Sequence, residues 1–372
     1  MDDELCIKHW LAEADGLGPV RIKRLLKRFG SAANIYNAGI KELTEVDGIG
    51  TLTARSMIKS RDYKKKISKW KSWYEKDIQT VFADEDDYPD CFKRYDDMPY
   101  RIFYKGKLPD DKSPTISVVG ARGCTSYGKA VALKISETFA GEGWQIISGM
   151  AAGNDSYAHK GALQAGGYTC AVLGCGVDIC YPSVNFTLYE DIINTGCVMS
   201  EFEPGQNPKK ENFPVRNRLI AALSDAIIVV EARKKSGSLI TADIGLEQGK
   251  EVFVVPGRIT DPLSMGCIGL LKEGANALSD LNDLRECPPV KRKLKSENRE
   301  GKEKYKKTEK ENSLDTSSFL LYSCLDFTPK SLEYLIDKTS LPKEDAFLVL
   351  ARLKLEGMIE EVAHNMFVRT SV

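Results

Sequence analysis

The chain has 372 residues, about two to three domains at roughly 150 residues each. Its 53 Lys and Arg balance 53 Asp and Glu, and 42% of its residues are hydrophobic. These figures exclude a wholly disordered chain and a protein that is basic all over, so any surface for nucleic acid must be local.

Residues 1 to about 80 read as helical. Met1-Asp2-Asp3-Glu4 is acidic where a signal peptide needs a basic start. No apolar run reaches the roughly 18–20 residues that span a bilayer. The expectation is a cytoplasmic protein without a membrane partner, its ten cysteines reduced and mostly serving as small buried hydrophobes. After a first helix from Leu5 to Ala12, Gly16-Leu17-Gly18-Pro19 precedes Val20–Phe29, and Val46-Asp47-Gly48-Ile49-Gly50 precedes Leu52–Ile58. Each is an apolar-Gly-apolar-Gly turn opening a helix, the helix-hairpin-helix pattern. Such turns can aim backbone N–H groups at a phosphate or simply join helices in a small bundle. Residues 81–112 read as a polar connection, with Tyr88-Pro89 and Met98-Pro99 favouring extended or turn backbone.

From Thr115 the pattern changes. Short apolar runs at Thr115–Val119, Gln145–Ile147, Thr169–Leu173, Cys197–Met199, Ala226–Val230 and Val252–Val255 lack alternation, which predicts strands buried on both faces. Helical stretches lie between them at Tyr127–Ala140, Asp155–Gln164, Val184–Asn194, Arg216–Leu223 and Leu239–Gln248. Strand alternating with helix predicts an α/β doubly wound parallel sheet, with ligands at the strands' carboxyl ends. Residues 288–312 hold ten Lys and Arg against five Asp and Glu and read as a disordered charged linker. Residues 313–372 read as helices, including Pro329–Asp337 and Lys343–Glu356, then strands Met358–Glu361 and Met366–Arg369. That is winged-helix grammar. The balanced charges of the Lys343–Glu356 helix leave DNA contact and protein contact equally open.

Four segments at strand ends could carry chemistry. Val119–Gly128 offers Arg122 and an N-cap at Thr125 or Ser126 as a phosphate seat. Its glycines, and those of Gly174-Cys175-Gly176, do not fit Gly-x-Gly-x-x-Gly, so no dinucleotide cofactor is expected. In Ser148–His159, Gly149 and Gly153 frame a tight loop, followed by Asp155 and His159 on one helix face. These two read either as an acid/base or ligand pair, or as an Asp orienting a partly buried His. Lys209-Lys210, Phe213 and Arg216-Asn217-Arg218 combine cations with an aromatic, the recipe for single-stranded nucleic acid. Alternatively, Arg216 and Arg218 pair with Glu201 or Glu231. Ser236-Gly237-Ser238, after Arg233-Lys234-Lys235, opens a helix as an anion cradle or forms an exposed loop.

These blocks, with Val255-Pro256-Gly257 and Gly274-Ala275, resemble in order the DprA family (DNA-processing protein A, also called Smf) over essentially the whole chain. The resemblance implies an extended Rossmann-like core that binds single-stranded DNA, protects it in natural transformation and loads the RecA recombinase. It also implies homodimers, no catalytic turnover and no cofactor. By resemblance Arg122, Lys210, Arg216, Asn217 and Arg218 are DNA-contacting positions. Lys209, Ser236, Gly237, Ser238, Thr125, Ser148 and Gly149 complete the expected site. Two departures leave that site less basic: Ala152 stands where the family has arginine, and Ser183 where it often has lysine. The expected organisation is a helix-hairpin-helix, SAM-like domain over 1–80, the core over 81–287, the linker over 288–312 and a winged helix over 313–372. The sheet also resembles the lysine-decarboxylase-like (LOG) nucleotide-processing family. That family's Pro-Gly-Gly-x-Gly-Thr-x-x-Glu is missing around Lys235–Thr241, which leaves an enzyme relying on Glu231 as an alternative. A protein-interaction scaffold whose core has no DNA affinity is the third reading.

Overall fold

The computed structural model describes residues 2–297, 315–339 and 341–370. Nine strands form one sheet: β1 Gln79–Phe82, β2 Arg101–Gly106, β3 Thr115–Val119, β4 Gln145–Ser148, β5 Thr169–Val172, β6 Cys197–Ser200, β7 Ala226–Val229, β8 Glu251–Val254 and β9 Asn276–Ala277. Their order is β1-β2-β6-β5-β4-β3-β7-β8-β9. Neighbours from β6 through β9 run parallel, while β2 pairs antiparallel with β6 and β1 antiparallel with β2.

The expected doubly wound sheet is present, and its strands alternate toward two buried faces. Ile116, Val118, Ile228 and Val230 pack with the Ser126–Gly141 and Asn154–Gln164 helices through Val131, Ile135, Phe139, Ala158 and Ala162. Val119, Ile227 and Val229 turn the other way and pack with the Asn212–Leu223 and Gly237–Glu247 helices through Leu219, Ala222 and Ala242. Each such Val or Ile contributes about 1.5–3 kcal/mol by leaving water. Six of the ten cysteines are buried. From β3 the chain winds outward through β4, β5 and β6, then returns to lay β7 on the other side of β3. That reversal opens a crevice beyond the carboxyl ends of β3 and β7.

Residues 81–112 are not a plain connection, since β1 and β2 lie across them. The sequence concealed β2 because Arg101 heads the run Ile102-Phe103-Tyr104. In the structure this arginine is buried, donating from Nη1 to Glu13 Oε1 (3.2 Å) and from Nη2 to Glu203 Oε1 (3.3 Å). Its Nη1 also lies 2.9 Å from His9 Nδ1. The N-terminal helices close over this edge, where Trp10, Leu25, Trp70 and Trp73 share one cluster with Phe82, Tyr100, Phe103 and Val177.

The expected disordered linker is corrected at its start. Pro288–Glu297 is a helix, with Val290 buried and Leu294 packed against the core. Proline suits a first turn, and these two apolar residues, four apart, form a stripe that the surrounding lysines hide from a composition count. Residues 298–312 lie outside the described residues. Beyond them come helices Thr316–Ser323, Leu332–Thr339 and Lys343–Leu355. The strands β10 Lys330–Ser331, β11 Ile359–Ala363 and β12 Met366–Arg369 form an antiparallel sheet, β10-β12-β11. This unit meets the core at Lys129–Glu360 (2.8 Å) and Arg258–Thr328 (2.8 Å). No described helix is long and apolar enough to cross a membrane.

Candidate nucleic-acid interface

A cleft of about 350 Å³ occupies the crevice. Gly120 to Gly123 after β3, Ala151 and Asp155 after β4, and Arg233 to Ser238 after β7 supply its walls, together with Phe213, Arg216, Asn217 and Leu263. Arg122, Arg233 and Lys235 are exposed and form no ion pair among the described residues.

Arg216 is buried at the cleft floor. Its Nη1 donates to Gly149 O (2.8 Å) and to Val172 O, and its Nε donates to Asn217 Oδ1 (3.2 Å). Gly149 is required here by close approach, since a Cβ would sit 2.6 Å from the guanidinium. Burial pulls the Arg216 pKa down to about 10, against the opposing pull of Asp155. Burial pushes Asp155 up to about 6, although Arg216 and the backbone N–H groups of Ala151, Gly120 and Gly149 favour its charged form.

Phe213 rests on Gly174, where a Cβ would lie 3.0 Å from the ring. The Arg122 guanidinium stands 5.4 Å from its centroid. Ser236 caps the Gly237–Glu247 helix, and Asn217 Nδ2 donates to Gly237 O at 3.2 Å. Cations, a helix N-terminus and an aromatic face therefore converge on one opening, a combination suited to phosphate and an unpaired base.

The structure gathers Arg122, Arg216, Asn217, Ser236, Gly237 and Ser238 around the cleft, but not the rest of the expected site. Thr125 N and Oγ1 donate to Glu231 at 3.0 and 2.5 Å, so a carboxylate already occupies that helix end and no phosphate seat remains. Ser148 is buried, donating to Val118 O at 2.6 Å, and Gly149 lies behind the Arg216 guanidinium. Arg218 turns away to Glu201, at 2.6 Å. Lys209 and Lys210 are exposed, without an ion pair among the described residues, and do not line the cleft. Asp155 and His159 do not act as a pair, because His159 is fully buried with Nδ1 at 2.7 Å from Thr169 Oγ1, while Asp155 faces Arg216 and lines the cleft. Sequence reasoning missed Leu263 as a cleft residue, since it carries no local signal.

Asp155 gives a pH prediction. Its pKa lies above the ordinary carboxylate value, so its contribution to stability is complete below that value and is lost as pH rises through about 6. The groups facing it keep their charge, since Arg216 stays near 10 and burial holds His159 near 3. Lowering pH from 7.5 to 5.5 therefore makes the cleft floor more positive. Oligonucleotide affinity should rise more over this range in wild type than in Asp155→Asn, and parallel pH profiles would refute the assignment.

Fold and cleft together define a Rossmann-like α/β protein with a cation-lined cleft at its topological switch point. The family model for DNA recombination-mediator protein A matches residues 79–288, and the SAM-like helix-hairpin-helix tandem model matches residues 11–61. The chain belongs to the DNA recombination-mediator protein A family, as its resemblance to DprA led us to expect. It is 36% identical to the protein Smf of Synechocystis over 282 residues, 74% of this chain and 71% of the relative. The X-ray structure of DprA from Streptococcus pneumoniae superposes with a TM-score of 0.67 and 34% identity, covering 75% of this chain and 96% of that one. DprA from Helicobacter pylori, whose structure gives insights into its single-stranded DNA binding mode, superposes at 0.51 with 29% identity, covering 59% of this chain and 96% of that one.

Proposed function

We propose that this protein binds single-stranded DNA in the cleft, shelters DNA taken up in natural transformation and loads RecA onto it, acting in the cytoplasm as a homodimer without catalytic turnover. The observation that carries this reading is the cleft wall itself, where Arg122, Arg216, Arg233 and Lys235 face a single carboxylate, Asp155, beside the ring of Phe213. A chain with no net charge has concentrated cations where an unpaired base could also stack. The H. pylori relative's single-stranded DNA binding mode supports the same assignment. Lys209 and Lys210, exposed just before the helix that carries Phe213, add phosphate contacts outside the cleft, and residues 313–372 act as a winged-helix accessory domain. The nucleotide-processing alternative loses its motivation, because Glu231 is engaged by Thr125 rather than offered to the cleft.

The test is fluorescence anisotropy with single- and double-stranded oligonucleotides across a salt series. Wild type should prefer the single strand, with a salt slope of about −0.7 per phosphate contacted. Arg122→Ala and Lys210→Ala should each make that slope shallower. Equal affinity for duplex, or a slope unmoved in both variants, would refute the reading.

A further inference from the structure

We infer that Tyr181 is a second base-stacking platform, so that a single strand leaving the cleft lays one base on Phe213 and another on Tyr181. This rests on the single-stranded DNA reading above. The Tyr181 and Phe213 ring centroids are 5.7 Å apart with their planes 36° apart, so the two rings adjoin as a tilted pair. Phe213 is backed by Gly174 and flanked by Arg122. Tyr181 is the open end of the row, 41% exposed, and its hydroxyl makes no hydrogen bond among the described residues. Tyr181 belongs to none of the hydrophobic clusters of the described residues.

The segment that carries it is fixed. Asn185 is buried and donates from Nδ2 to Met150 O and Ser156 Oγ, both at 2.9 Å, which ties the 181–185 turn to the loop after β4. Cys180 Sγ adds a bond to Pro182 O at 3.4 Å. A ring held on an anchored turn loses little freedom when a base stacks on it. The exposed apolar surface continues at Val184 and Phe186, 82% and 60% exposed. Isolated exposed hydrophobics are ordinary, but three in six consecutive residues beside an aromatic cleft wall form a strip suited to the apolar faces of unpaired bases. The same segment, residues 181–186, contains no cation. Its contribution should therefore come from stacking rather than from phosphate contacts.

That distinction sets the experiment. Single-strand affinity and salt slope are measured with oligothymidylate for wild type, Tyr181→Ala, Tyr181→Phe, Phe213→Ala and Arg122→Ala, with thermal unfolding of each. Tyr181→Ala should weaken binding about tenfold, within the range for loss of one stacked base, at unchanged melting temperature and unchanged salt slope. Tyr181→Phe keeps the ring and should restore binding. If Phe213→Ala and Arg122→Ala weaken binding while Tyr181→Ala matches wild type, the Tyr181 platform is refuted and the cleft reading stands. A Tyr181→Ala loss with a shallower slope would signal a lost phosphate contact and refutes it too. If wild type shows no single-strand preference, the functional reading falls and this inference with it.

Discussion

Arg216→Ala is expected to cost about 3–5 kcal/mol of stability at pH 7.5, the range for removing one member of a buried charge arrangement. The substitution deprives the carbonyls of Gly149 and Val172 of their donor and leaves Asp155 ionised in a dry site with no counter-charge. Asp155 can escape by taking up a proton. Its pKa, already about 6, rises further without the guanidinium, so the variant should recover part of the loss at pH 5. Asp155→Asn in the same background should recover a similar part at pH 7.5. Urea unfolding at both pH values checks this. A loss below about 1 kcal/mol, or one identical at both pH values, would show that the guanidinium does not hold the cleft floor.

The double substitution of Arg122 and Phe213 by alanine is expected to weaken single-strand binding about a hundredfold at moderate salt, with little change in melting temperature. Base stacking on an aromatic ring contributes about 1–3 kcal/mol, and a charge-assisted bond about 1.5–3 kcal/mol. The two effects should not simply add, because Arg122 stands over the Phe213 ring and each helps position the other. Phe213→Ala alone should preserve the salt slope, whereas the double variant should lose about 0.7 from it. Anisotropy titrations separate these terms. Unaltered binding by the double variant would move the DNA to the accessory domains.

Much of the architecture was legible because its physics is local. Uniformly apolar strands must be covered on both sides, and the glycines at their ends mark where backbone approaches closely. The structure keeps all six expected core strands in one sheet. Long-range pairing was not legible. A good N-cap at Thr125 gives no hint that Glu231, 106 residues later, fills the helix end. Arg101 interrupts the apolar pattern of β2 because its partners, Glu13 and Glu203, come from distant segments. Arg216 and Arg218 are two apart on a helix, so they face opposite ways. The structure sends Arg216 to the cleft floor and Arg218 to Glu201.

The shared cluster beneath the N-terminal helices bears on how this protein can be taken apart. The family match begins at residue 79, at the start of β1, which makes that point look like a natural place to cut. A truncation there would strip Phe82, Tyr100 and Phe103 of their cover and leave Arg101 without Glu13. It would also uncover the apolar flank of β1, already the terminal strand of the sheet, and an edge strand with exposed apolar surface is the kind on which chains aggregate. Poor recovery of such a fragment would therefore report on the cut rather than on the DNA-binding capacity of the core. The stretch recognised by family comparison and the stretch joined by one hydrophobic cluster have different boundaries in this chain.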